Sequence, residues 1–215
     1  MSYENIYTQF TNDKPNRPDN LNLRLHRALS WLQKAENSQD DLDIQFISLW
    51  VSFNAIYARE LGTHSSDRYN FVEFLRHVCQ LDKDKNIYQL IWQKFSQSIR
   101  TMLNNRYVFQ PFWDHHNGKI SQAAWQEDFT KSNKKAYQAL SNKDTDAMMI
   151  VIFDRLYTLR NQIVHGGATY DSSINRKQLQ DACQILKSII PIVIQIILDN
   201  PHRNWGKPFY PVVID

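Results

Sequence analysis

A shortage of chain breakers constrains this sequence more than any other feature. Its 215 residues include only five glycines and seven prolines, and most of the prolines stand near the two ends. Long stretches without turn residues leave the helix as the main element open to the chain. Leu21, Leu25, Ala28, Leu29 and Leu32 recur at spacings of three and four and mark one helical face. The same reasoning predicts helices over about 20–36, 40–61, a third after Ser66-Asp67, and others over about 85–104, 121–140, 142 or 145 to 165, and 172–198. Asp40 reads as the N-cap of the second and Gly62 as its stop. Pro191 should kink the last. The expected fold class is all-α.

Three segments fall outside this pattern. Residues 1–19 read as an irregular lead-in, because Pro15 and Pro18 oppose helix. Residues 105–120, with the run Arg106-Tyr-Val-Phe-Gln-Pro-Phe-Trp-Asp-His-His-Asn-Gly118, have no clear period. They read as a long aromatic loop packed on the body through Phe109, Phe112 and Trp113. Residues 200–215 carry Pro201, Pro208 and Pro211 and read as an extended surface tail. The helical domain is then 20–199.

Apolar residues make up 42 % and aromatic ones 13 %, enough for a packed core. Two cysteines, Cys79 and Cys183, argue against a disulfide framework and fit a reducing cytoplasm. Met1 to Asp13 is polar and has no apolar signal core. The most apolar run, Ile189 to Leu198, is about half a membrane span and is interrupted by Pro191 and Gln195, so a buried helix is expected and no membrane partner. The net charge of +3 permits an RNA partner without arguing for one.

The chemistry is concentrated in Arg160-Asn161-Gln162-Ile163-Val164-His165, followed at once by Gly166-Gly167. Arginine keeps its charge in a protein, and its planar fork of donors fits phosphate oxygens. Histidine can both take and give a proton near neutral pH. Such a pair is the minimum for cleaving a phosphodiester without a metal. A second pattern is Trp50-Val-Ser-Phe53-Asn54-Ala-Ile-Tyr57, where positions 50, 53, 54 and 57 share one helical face.

An early Trp-x2-Phe-Asn-x2-Tyr face followed late by Arg-Asn-x3-His-Gly resembles the HEPN superfamily (higher eukaryotes and prokaryotes nucleotide-binding), in particular its bacterial Apea-like members. The resemblance covers most of residues 20–200. It implies an up-and-down helical bundle that dimerises so that two Arg-x4-His segments meet at one cleft. Many members are metal-independent endoribonucleases of toxin–antitoxin or phage-defence systems, which brings an antitoxin into view as a partner. Others have lost catalysis and act as nucleotide- or RNA-binding or scaffold modules. Some toxin members carry a Tyr two residues after the His; Gly167 stands there in this chain, and no role transfers to it.

On this basis His165 would deprotonate a ribose 2′-OH and Arg160 would stabilise the charge developing at phosphorus. In a two-fold dimer the partner's His165 would protonate the leaving 5′-oxygen. Helical periodicity places Asp154, Thr158, Asn161 and His165 on one stripe, and Arg160 about 100° from Asn161 with a side chain long enough to swing back. Asn161 could orient the imidazole or bind phosphate. Asn54 could hydrogen-bond the motif helix. Lys134, Lys135, Arg176 and Lys177 are candidates for RNA-backbone contacts. The reaction needs no cofactor, and the sequence holds no P-loop, dinucleotide fingerprint, serine elbow or zinc helix.

Plainer roles stand beside these. Arg and His near a helix C-terminus also complement its dipole. Trp50, Phe53 and Tyr57 suit a core, Asp154 a surface ion pair, and the lysines a solvated face. Asp114-His115-His116 has no metal-ligand spacing and reads as solvated loop.

Overall fold

A computed structural model describes residues 3–58 and 67–211, so the predicted stop at Gly62 lies outside the described residues. Within them the chain is helical and has no strand. The α-helices are α1 (Tyr3–Asn12), α2 (Asp19–Glu36), α3 (Leu42–Tyr57), α4 (Asp67–Leu81), α5 (Asn86–Gln89), α6 (Ser96–Asn104), α7 (Gln110–His116), α8 (Gln122–Asn142), α9 (Thr145–Val164) and α10 (Arg176–Asp199). The chain divides into two compact units, 1–84 with 182–215, and 85–181.

In the first unit α2 and α3 pack closely. Leu25, Ala28, Leu29 and Leu32 are buried from α2, and Phe46, Leu49, Phe53 and Ile56 from α3. Asp41, one residue beyond the predicted cap, begins α3 by accepting from the Ile44 amide at 3.0 Å. The Ser52 hydroxyl donates to the Ala28 carbonyl at 2.8 Å, which satisfies a buried polar group between the two helices. Phe53 touches the rings of Trp50, Tyr57, Phe71 and Phe74, so the aromatic face of α3 is core. The apolar run of α10 is buried as expected, with Ile190, Val193, Ile194 and Ile197 inaccessible and the helix continuous through Pro191.

Two expectations for this unit are corrected. Residues 3–12 form a helix, not an irregular lead-in, and bury Ile6 and Phe10. Pro15 and Pro18 lie beyond its end, where Pro15 enters a short 3₁₀ turn and Pro18 caps α2, so they separate helices instead of preventing one. The tail is also not simply laid along the surface. Trp205 is buried and its indole N–H donates to the Asn200 carbonyl at 2.9 Å. The buried Arg24 guanidinium donates to the carbonyls of Ile56 at 2.6 Å and of Gly206 and Lys207 at 3.1 Å.

In the second unit the helix predicted over 85–104 is interrupted by a π turn at Leu90–Lys94. The Phe95 amide there donates to the Leu90 carbonyl at 2.9 Å, and the indole of Trp92 is held by the Thr145 hydroxyl at 3.1 Å. The aromatic segment is not a loop. Arg106–Val108 forms a 3₁₀ turn, α7 follows, and Phe109 and Phe112 are buried. Pro111 sits in the first turn of α7, where its missing N–H costs nothing and its fixed φ favours helix.

Candidate functional site

The motif occupies the end of α9. Asp144 caps the start of this helix by accepting from the Ala147 amide at 3.1 Å. Met148, Ile152, Phe153, Leu156 and Leu159 bury its apolar side. At its other end the His165 amide donates to Asn161 at 3.0 Å, Gly166 to Ile163 at 3.2 Å and Gly167 to Gln162 at 2.7 Å. The Gly166 and Gly167 bonds form a Schellman cap, with Gly166 in the left-handed region at φ +73°. A Cβ on Gly166 would meet nothing within 4 Å, whereas one on Gly167 would lie 3.1 Å from the Gln162 carbonyl oxygen. The glycine pair therefore terminates the helix and leaves open space beside His165.

His165 is exposed at the C-cap, and its ring has no hydrogen-bond partner among the described residues. Arg160 is half-buried. Its guanidinium reaches Asn161, with Nη1 donating to Oδ1 at 3.0 Å, so the side chain does swing toward the stripe that holds His165. Arg160 Nε is buried with no hydrogen-bond partner. One turn of helix thus gathers a cation with an unused donor, an amide that holds it and a free imidazole.

The supporting residues are placed less uniformly. The Thr158 hydroxyl donates to the backbone carbonyl of Asp154 at 3.2 Å and so serves the helix itself. Lys134 and Lys135 are exposed on α8. Arg176 is engaged with its own loop, through the Ser172 carbonyl at 2.6 Å and the Asp171 carboxylate at 3.4 Å. Lys177 pairs with Asp181 at 3.1 Å. These two cations are the weaker candidates for a phosphate backbone. Asn54 belongs to α3 in the first unit, and its Oδ1 is buried without a hydrogen-bond partner among the described residues.

Three residues of this unit escaped the sequence reading. Arg155 is buried, and its guanidinium lies 4.5 Å from the centroid of Phe109 and 5.7 Å from that of Phe129. Nη2 donates to Ser132 Oγ at 3.2 Å and to Asn133 Oδ1 at 3.4 Å. Burial pushes this guanidinium down to about 10, against a smaller opposing pull from Asp154, and leaves it charged at neutral pH. Its place on the stripe Met148, Ile152, Arg155, Leu159 was the available signal. Gln162 donates to the Tyr107 carbonyl, and Arg106 stacks over the half-exposed Tyr107 ring at 5.1 Å.

Asp114-His115-His116 closes α7. Asp114 is held by Gln110 at 3.2 Å and Lys119 at 3.3 Å, and His115 Nδ1 lies 3.1 Å from the Ile120 carbonyl. Among the described residues no group of three His, Cys, Asp or Glu side chains is placed to hold a metal. No protein-family model matches the chain, and no curated protein or solved structure is significantly similar to it.

Proposed function

We propose that this chain is a metal-independent endoribonuclease of the HEPN type, acting as a toxin or defence effector in the cytoplasm. The observation that carries the reading is the Arg160–Asn161 hydrogen bond, made one turn before an exposed His165 on the same helix end. His165 accepts the 2′-OH proton, the 2′-oxygen attacks phosphorus, and Arg160 stabilises the developing charge through donors its Asn161 bond leaves free. The 5′-oxygen leaves as the hydroxyl after receiving a proton, and the 3′ end closes as a 2′,3′-cyclic phosphate. One His165 cannot begin as base and acid at once, so the reading includes an up-and-down bundle paired as a two-fold dimer whose second His165 is the acid.

The same observations also support a silent variant. Arg160 is already bonded to Asn161, and a half-buried guanidinium near an exposed imidazole can bind nucleotide or RNA, or hold a scaffolded partner, without turnover. Expression in a bacterial host separates the two. The ribonuclease arrests growth, and His165→Ala relieves the arrest at equal protein level. A binding module is harmless in both forms and loses only RNA retention when Arg160 or His165 is changed.

A further inference from the structure

In the first unit, Tyr57, Tyr69, Phe74 and Trp205 line an open cavity of about 280 Å³ together with Glu73, His77 and Asn204. It differs in character from the end of α9. Its carboxylate is Glu73, and among the described residues neither Lys nor Arg lines it. Trp205 is buried beneath it with its N–H already spent on Asn200, so what it offers is ring surface. Phe74 packs edge-on against Trp205, with centroids 6.2 Å apart, and Tyr57 lies 6.2 Å from Phe74. His77, also in the lining, meets the Trp205 ring edge-on at 5.2 Å. Tyr57 and Phe74 thus join the aromatic core on one side and remain half-exposed on the other.

Rings carry negative potential on their faces, and a cation among several of them is attracted electrostatically. Glu73 adds a formal negative charge. Its bond to Arg76 at 3.0 Å joins two partly exposed side chains, a kind of pair that holds its members only weakly. A phosphate or carboxylate ligand would find neither Lys nor Arg among the described residues of the lining. We propose that this cavity binds a small organic cation of the quaternary-ammonium class, as a free molecule, with the four rings as its cage and Glu73 as its counter-charge. The proposal stands independently of the ribonuclease reading.

The test is calorimetric titration of the full chain with choline and with its neutral carbon isostere, 3,3-dimethylbutan-1-ol. Choline should bind saturably, and the isostere about tenfold more weakly or worse. Glu73→Gln should weaken choline by roughly three- to tenfold. Tyr69 is 60 % exposed, so Tyr69→Ala can be made without opening the core; it should weaken binding more than Tyr69→Phe, which keeps the ring. Circular dichroism confirms that each variant is folded. Equal binding of the isostere would overturn the proposal, as would adenosine binding in place of choline. So would phosphatidylcholine vesicles binding where free choline does not, or no saturable binding of choline by the folded protein.

Discussion

The side-chain amide of Gln162 donates to the backbone carbonyl of Tyr107 at 2.5 Å, and the indole N–H of Trp113 reaches the same oxygen at 2.8 Å. Gln162 is three residues before His165 and so a neighbour on the helix surface. The aromatic segment is thereby tied to the turn that presents the imidazole. Gln162→Met keeps the length and removes the donor, while Trp113 still satisfies the carbonyl. Urea unfolding should show a loss of about 0.5–1.5 kcal/mol, the range of one ordinary hydrogen bond.

Gly166 should tolerate little besides asparagine. Its φ of +73° is left-handed, and the space beside it is open, so the cost of a side chain is conformational and not steric. Gly166→Ala should lose about 1–2 kcal/mol and Gly166→Asn clearly less. Equal losses in thermal or urea unfolding would contradict this cause.

Arg155 is a structural cation. Arg155→Ala should cost about 2–3 kcal/mol through lost packing on Phe109 and Phe129. Arg155→Met, which fills the space without a charge to desolvate, should stay within about 1 kcal/mol of the parent. The pH dependence has a definite sign. The folded pKa, about 10, lies below the unfolded one, so from about pH 10 up to the ordinary arginine range the unfolded chain holds more protons and stability rises with pH. Below that window both states are protonated and the cost of burial is constant. The stability difference between the parent and Arg155→Met should therefore not change between neutral pH and about pH 9.

At the site itself, Arg160→Lys should be intermediate between parent and Arg160→Ala in cleavage rate. Lysine keeps the charge but loses the fork that holds Asn161 and, in the proposed reaction, would hold phosphate as well. Asn161→Ala should lower the rate less than either, because it loosens Arg160 without removing its charge. Initial rates on one RNA across the four proteins give the order.

Much of this architecture was legible in the sequence. Periodic leucines placed α2, the Trp50–Tyr57 face placed α3, and Gly166-Gly167 placed the end of α9 within a residue. The errors have separate physical sources. Pro15 and Pro18 oppose a helix interior, yet proline suits the first turn or the residue before it, as Pro111 also shows, so each marks a boundary with helix close by. The π turn at Leu90–Lys94 leaves no mark in an apolar spacing. Arg24 reaches the tail at the carbonyls of Gly206 and Lys207, and within the tail Trp205 reaches that of Asn200; no side-chain pattern reveals such bonds. The reach of Arg160 to Asn161 was foreseeable from helix geometry, whereas the Gln162–Tyr107 bond joins positions 55 residues apart and was not.

The most direct measurement is incubation of purified protein with a mixed single-stranded RNA in excess EDTA, beside His165→Ala and a DNA of the same sequence. Cleavage of the RNA alone is predicted, leaving 2′,3′-cyclic phosphate and 5′-hydroxyl ends. Loss of the base should slow it by about 10²–10⁴-fold in the variant. Cleavage that EDTA abolishes, that extends to DNA, or that survives unchanged in His165→Ala would contradict the account.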